Sequence, residues 1–148
     1  MIDQRTAPYA ALLLRVALGV MFLAHSVVLK LMVFTLAGNA QFFASLGLPA
    51  AFGYVVFFVE AIAGVALILG VRSREVAVVS LPILLGATWV HSANGWMFGM
   101  PNGGWEYPAF LVVAAAVVAL LGDGAHALAP SRSELPFGRS AGAVRATA

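Results

Sequence analysis

Residues 51–71 read AFGYVVFFVEAIAGVALILGV, an apolar run broken by one carboxylate, Glu60. A helix needs about 20 apolar residues to cross the hydrocarbon core of a bilayer, so this run predicts a membrane-spanning helix. A charge near the middle of such a helix costs about 2.5–3.5 kcal/mol on insertion scales. We therefore expect Glu60 to face a partner inside the protein and not the lipid.

Three further apolar stretches, at 8–30, 76–96 and 107–121, bring the number of predicted spans to four, of which the last is the shortest. The 148-residue chain is 62% hydrophobic and only 9% charged, too little charge to cover a soluble surface. Helices satisfy all backbone hydrogen bonds within one segment. We predict an all-α fold, an integral membrane four-helix bundle, in residues 1–122. The Ala-, Ser-, Pro- and Arg-containing segment 123–148 is predicted to be a disordered cytoplasmic tail.

Composition also excludes several kinds of function. The chain has no cysteine, which removes disulfides, thiol redox chemistry and thiolate metal sites. Its net charge of +2 comes from scattered arginines, so nucleic acid is not an expected partner. No nucleophilic triad, phosphate-binding loop or metal-spaced cluster is present in the sequence. The bilayer is the expected partner, and a homo-oligomer is left open.

The distribution of basic residues predicts the orientation. Four spans place both termini on one side, and six arginines fall there: Arg5, Arg72, Arg74, Arg132, Arg139 and Arg145. Lys30 alone falls on the other side. Because cytoplasmic loops carry the excess of Lys and Arg, we expect both termini in the cytoplasm.

Ionisable residues inside the spans indicate a candidate site. His25 and His91 are each about 8 Å inside the outer ends of their helices at 1.5 Å per residue. We expect one ligand-binding pocket, opening outward or into the outer leaflet, lined by His25, Glu60, His91 and Glu106. Its expected rim consists of Lys30, Asn94, Asn102 and Trp105.

The pocket residues allow several roles. Arg15 lies nearer the cytoplasmic end, where it would either form a structural ion pair with Glu60 or extend to the interface. An unpaired Glu60 would instead carry protons. Two imidazoles at one depth would bind a quinone's carbonyl oxygens or ligate haem or another metal. They would equally serve as structural hydrogen-bond donors to backbone carbonyls.

The loop before the fourth span also has two interpretations. Gly103 and Gly104 permit tight turns beside Glu106, which would begin a helix whose dipole favours its charge. Glu106 is then either a helix cap or part of a lid over the pocket. Four glycines are expected at helix contacts: Gly19, Gly64, Gly70 and Gly86.

Taken in order, these residues resemble the DoxX family of small four-helix bacterial membrane proteins, over residues 10–122. The resemblance is carried by Leu14-Arg15, Gly19, His25, Lys30, Phe43, Ser45-Leu46-Gly47-Leu48-Pro49, Glu60, Gly64, Gly70, His91, Asn94-Gly95 and Gly103-Gly104-Trp105-Glu106-Tyr107. Ser26 departs from it, since the family usually has glycine after the histidine.

The resemblance implies a bacterial cytoplasmic (inner) membrane protein and a link to redox chemistry. Relatives are associated with thiosulfate:quinone oxidoreductase subunits and with complexes for oxidative-stress and thiol handling. Three functions follow: a redox subunit that binds a quinone-like carrier and works with a soluble or peripheral oxidoreductase, a non-catalytic scaffold for such an enzyme, or a small transporter. The sequence identifies neither a substrate nor a cofactor, and it leaves open whether the chain is itself an enzyme.

Overall fold

The computed structural model describes residues 3–132, and these are all-helical with no strand among them. This confirms the predicted all-α membrane bundle. The helices, with our labels, are α1 (Ala7–Val33), α2 (Leu36–Ser45), α3 (Ala51–Leu69), α4 (Ser73–His91) and α5 (Glu106–Leu121). A 3₁₀ turn, Ser92–Asn94, extends α4.

Four of these helices form the bundle. α1 packs chiefly against α3 and α4 against α5, while α3–α4 and α1–α5 contacts close the ring. Leu18, Phe22, Leu67, Leu84 and Val118 are among its buried core residues. Large apolar side chains also cover the outside of the helices. α1, α3 and α4 are long and apolar enough to span a membrane, and α5 is shorter at 16 residues. This outer surface requires lipid as its solvent.

The α1–α3 contact is made by backbone at Gly19 and Gly64. A Cβ atom at Gly19 would lie 2.8 Å from the Gly64 carbonyl oxygen, so only glycine allows the helices this close. The same prediction was wrong for Gly86, which is exposed and would have no atom within 4 Å of an added Cβ. Its place on the outside of α4 explains the difference.

The second part of α1 is not an α-helix. From Ala24 to Val33 it is a π-helix, with i→i+5 bonds such as that from the Phe34 amide to the Leu29 carbonyl (2.8 Å). π-Helices are rare and are mostly single-turn bulges at functional sites. Ser26 within it is fully buried and donates to the Phe22 carbonyl. The apolar pattern of the sequence predicted an ordinary helix over this segment.

The two ends of the bundle differ. The terminal end carries the α3–α4 turn and the strap, which we define as residues 123–132. The loop end carries α2 and the aromatic loop, which we define as residues 95–105. The structure gives the strap backbone hydrogen bonds to the bundle, including Leu128 to the Leu69 carbonyl and Ala129 to the Gly70 carbonyl. The first ten residues of the predicted tail thus have a defined place, whereas Arg139, Arg145 and the rest of 133–148 lie outside the described residues.

Asp123 fixes the strap at its start. Its carboxylate accepts hydrogen bonds from the Ser73 amide (2.8 Å) and from the Ser131 amide (2.7 Å) and hydroxyl (3.0 Å). Burial opposes ionisation of Asp123, but these hydrogen bonds together outweigh it and hold the pKa of the carboxyl below its usual range. Asp123 therefore sets the end of α5 level with the start of α4.

Candidate functional site

A Lys30–Glu60 ion pair forms the polar centre of the loop-end half. Glu60 is 6% exposed, and its Oε2 accepts a hydrogen bond from Lys30 Nζ. A buried carboxylate keeps its charge only when a cation or hydrogen bonds compensate it, and Lys30 supplies both. Lys30 was expected at the pocket rim, but the structure places its ammonium against Glu60. The π-helix and α3 are thereby joined by a charge pair.

Glu60 does not pair with Arg15, as the sequence analysis had allowed. Arg15 is 1% exposed and donates to five backbone carbonyls at the terminal end. Two of them, Leu67 and Ile68, belong to the last turn of α3, where the carbonyls lack the i+4 amide of a continuing helix. The helix rise per residue had placed Arg15 and Glu60 at depths that a long side chain can bridge. The guanidinium instead binds these α3 carbonyls and the strap carbonyls, which lie closer to it. Arg15 is thus a structural residue of the terminal end.

His25 lies next to this pair, on the same π-helix. Its Nδ1 is 2.9 Å from the Met21 carbonyl oxygen, and a proton on that nitrogen would make this a hydrogen bond. Its Nε2 has no hydrogen-bond partner within residues 3–132. With Nδ1 protonated, a neutral His25 presents Nε2 as an acceptor.

The π-helix explains how His25 and Lys30 act together. Residues five apart point about 140° away from each other around an α-helix. The i→i+5 bonding of Ala24–Val33 widens the turn and brings such residues nearer to one side. Lys30 then reaches Glu60 on α3 while His25 stacks against Tyr107 on α5. The sequence signal was the five-residue spacing of two polar side chains, which an α-helical interpretation does not place together.

Tyr107 connects His25 to an open groove at the loop end. The His25 and Tyr107 rings stack with centroids 5.9 Å apart and planes at 23°. The Phe98 ring packs edge-on against the Tyr107 ring, with centroids 5.6 Å apart. The groove has a volume of about 860 Å³. It is lined by Trp96, Phe98, Glu106, Tyr107, Ala109, Phe110 and Val113. Most of these side chains are apolar or aromatic, and Phe110 and Val113 belong to the lipid-facing side of α5.

Glu106 and the aromatic loop form one closed unit. Glu106 begins α5, and its Oε1 accepts the Phe98 amide at 2.7 Å. The Trp105 amide donates to the Gly95 carbonyl (3.1 Å) and the Glu106 amide to the Trp96 carbonyl (3.0 Å). Glu106 thus fixes the loop and also lines the groove; the cap position of α5 belongs to Trp105, and the Glu106 carboxylate bonds a loop amide and not an amide of the helix.

His91 is bound to the aromatic loop. Its Nδ1 is 3.1 Å from both the Asn102 and the Gly103 carbonyl oxygens, and Asn94 donates to the same two carbonyls. In the part of the chain that the structure describes, no hydrogen bond or ring contact joins His91 to His25. Among the predicted rim residues, Asn94 and Asn102 therefore close the loop, and Trp105 packs edge-on against Trp96.

Of the four predicted ligand-binding residues, Glu106 is the one that lines the groove in the part of the chain that the structure describes. His25 lies behind the groove, stacked on Tyr107, while Glu60 is paired with Lys30 and His91 is held by the aromatic loop. Tyr107 and Phe98 were not selected from the sequence as site residues. Tyr107 stood out only as part of the family match, and Phe98 only as part of a loop. Within residues 3–132 there is no group of three or more His, Asp or Glu side chains suited to hold a metal ion.

Comparison with known proteins agrees with this architecture. The DoxX family profile matches residues 10–93, more than half of the chain. A curated relative from Bacillus subtilis (strain 168), named "Putative oxidoreductase CatD", is 34% identical over 120 residues, which cover 80% of this chain and 84% of the relative. No solved structure gives a significant match. The resemblance found in the sequence is confirmed: the chain belongs to the DoxX family of membrane proteins.

Proposed function

We propose that this protein is a redox-associated membrane subunit that binds a quinone-like carrier in the loop-end groove and works with a partner oxidoreductase. The observation that carries the proposal is the groove itself: aromatic walls, one carboxylate, and a wall residue, Tyr107, stacked on a histidine with a free ring nitrogen. Ligand sites are typically apolar with few placed polar groups. The oxidoreductase name of the relative supports the redox part of the proposal.

The residues suggest how a carrier would be held. Its flat ring would lie against the Tyr107 face and the edges of Phe98 and Phe110, since aromatic rings favour offset or edge contacts. His25 stands behind Tyr107 and not in the groove wall, so its role would be to hold the Tyr107 ring in place for the carrier. The Tyr107 hydroxyl would donate a hydrogen bond to a carbonyl of the oxidised carrier or accept one from a hydroxyl of the reduced carrier. Electrons and the second substrate would come from the partner.

Binding is testable without knowing the partner. Trp96 lines the groove, so a short-chain quinone bound there should quench its fluorescence in protein reconstituted into nanodiscs. We expect saturable quenching that His25→Ala weakens at least tenfold in apparent affinity, equivalent to about 1.4 kcal/mol. His126→Asn is the matched control, because it removes an exposed histidine of the strap. Quenching that never saturates, or that both variants change equally, would count against the proposal.

One observation favours a second function, a non-catalytic scaffold. Lys30 satisfies Glu60, the Phe98 amide satisfies Glu106, and loop carbonyls satisfy His91. A protein that only holds an enzyme at the membrane needs no more than such internal pairing. The scaffold predicts that His25→Ala leaves complex assembly and activity intact, while changes to exposed surface residues disrupt both. The carrier-binding function predicts intact assembly with lost quinone-dependent activity.

We also propose that the protein lies in the bacterial inner membrane with the terminal end in the cytoplasm. The arginines of that end, with Arg72 in the short α3–α4 turn and Arg74 in the first turn of α4, support it. Because the chain has no cysteine, single-cysteine variants report topology without background. Arg74→Cys should resist a membrane-impermeant maleimide added to intact cells and should react once detergent has opened the membrane. Labelling of Arg74→Cys from outside would reverse the orientation.

A further inference from the structure

We infer that the aromatic loop lies inside the bilayer leaflet, at the boundary between acyl chains and headgroups, so that the groove opens to lipid and not to water. The inference concerns the position of residues 95–105 and holds whether or not a carrier binds. It rests on helix lengths, on the level at which α5 is fixed, and on what the loop exposes.

The lengths of α4 and α5 do not match. α4 with its 3₁₀ turn has 22 residues, about 33 Å at 1.5 Å per residue, whereas α5 has 16, about 24 Å. The Asp123 bond to the Ser73 amide sets both helices level at the terminal end. α5 therefore begins about 9 Å short of the loop end of α4.

The bilayer is thicker than α5 is long. The hydrocarbon core measures about 30 Å, so with its terminal end at one boundary of the core, α5 stops about 6 Å short of the other. Helix tilt would enlarge this gap, since it shortens the projected length of α5. The aromatic loop is the segment that occupies this depth beside α4.

The loop has the chemistry that this position requires. It contains no charged residue, and its side chains Trp96, Met97, Phe98 and Met100 are all exposed, with Phe98 at 64%. Lipid-exposed irregular backbone does not occur within the hydrocarbon core itself, so the loop backbone has to lie at the boundary, where headgroups and water complete its hydrogen bonding. The Met100 and Gly103 amides donate within the loop, as do those of Trp105 and Glu106 across its base. An interfacial segment typically buries its apolar side by about 5–10 Å, which matches the gap.

The exposed apolar surface of the loop is continuous with the established lipid-facing surface of α5. Both contribute to one groove, with Trp96 and Phe98 from the loop and Phe110 and Val113 from α5. A surface that is lipid-covered along α5 therefore continues into the loop without a polar break. The occupant that fits is the acyl-chain region of the leaflet.

Spin labelling in vesicles tests the position. Single-cysteine variants Met97→Cys and Met100→Cys carry a nitroxide, with Ile62→Cys on the exposed face of α3 as lipid reference and Arg5→Cys as aqueous reference. Collision with oxygen reports lipid, and collision with a neutral nickel complex reports water. We expect both loop labels to favour oxygen, as Ile62→Cys does, and to shift towards nickel when shorter-chain lipids thin the leaflet. Circular dichroism of each variant checks that it is folded.

Two results would overturn the inference. Loop labels that favour nickel, as Arg5→Cys does, would place the loop in water. Labels shielded from both reagents would mean that protein covers it, either another part of this chain or a second copy. The label on a folded Met97→Cys variant favours oxygen, favours nickel or is shielded from both, so every outcome either supports or contradicts the inference.

Discussion

The Lys30–Glu60 pair allows a quantitative test of the bundle's interior. Both side chains are largely buried, with 18% and 8% exposed, so breaking the pair leaves one desolvated charge. Removing one partner of a buried pair costs about 3–5 kcal/mol, whereas replacing both with similar apolar or neutral groups is often close to neutral. Lys30→Met and Glu60→Gln should therefore each destabilise the protein by about 3 kcal/mol, and the double variant by less than about 1 kcal/mol.

A double-mutant cycle measures this coupling. Reversible unfolding in mixed micelles with rising dodecyl sulfate, followed by circular dichroism, gives the free energy of each variant. The two single losses should exceed the loss in the double variant by about 5 kcal/mol. Arg15→Met combined with Glu60→Gln is the matched control. Arg15 and Glu60 share no partner, so their effects should add to within about 0.5 kcal/mol.

Two outcomes would refute this reasoning. Additive losses for Lys30→Met and Glu60→Gln would mean that the pair does not form in the membrane. A large coupling between Arg15 and Glu60 would restore the pairing that depth arithmetic first suggested.

Three other changes have defined outcomes in the same unfolding assay or by hydrogen exchange. Gly19→Ala should destabilise the protein by about 1–3 kcal/mol, because the added methyl group overpacks against α3. Gly86→Ala lies at an open position and should be neutral or slightly stabilising. Equal effects of the two changes would refute the close contact between α1 and α3. Arg15→Met should cost at least about 3 kcal/mol, since buried carbonyls lose a charged donor, and a neutral result would contradict the structure. The pKa of Asp123 is lower in the folded protein than in the unfolded chain, where it is about 3.9. Asp123 therefore stabilises the fold fully above the unfolded pKa, and this stabilisation is lost as the pH falls through the folded pKa. The protection of the Ser131 amide, its exchange rate compared with the intrinsic rate at the same pH, should therefore fall in acid, and Asp123→Asn should abolish that change; protection that does not depend on pH in the unmodified protein would contradict this.

The helical bundle was predictable from the sequence because lipid leaves few alternatives. A 21-residue apolar run with one carboxylate favours a spanning helix whose Glu60 turns inward; α3 is long and apolar enough to span a membrane, and Glu60 is buried. Gly19 and Gly64 were predictable as helix contacts for the same reason, since small residues let helices approach. Gly86 was not distinguishable from them, because sequence does not say which face of α4 meets another helix.

The partners inside the bundle were less predictable, because depth along a helix does not fix direction around it. The rise per residue placed Arg15 within reach of Glu60, but it took no account of the Leu67 and Ile68 carbonyls at the end of α3, which accept hydrogen bonds from Arg15. It also assumed α-helical geometry beyond Ala24, whereas the π-helix turns Lys30 towards Glu60. The matched depth of the two histidines was likewise insufficient, since His91 is held by the loop that follows its own helix.

Photoaffinity labelling tests most directly whether the groove holds a quinone-like carrier. A quinone bearing a diazirine on its ring substituent would be irradiated with the reconstituted protein, and the modified residues mapped by mass spectrometry. The account predicts labelling of Phe98, Tyr107 and Phe110 that excess unmodified quinone removes. Labelling spread over lipid-facing residues such as Leu13 and Ile62, without competition, would show partition into the bilayer alone and contradict a binding site in the groove.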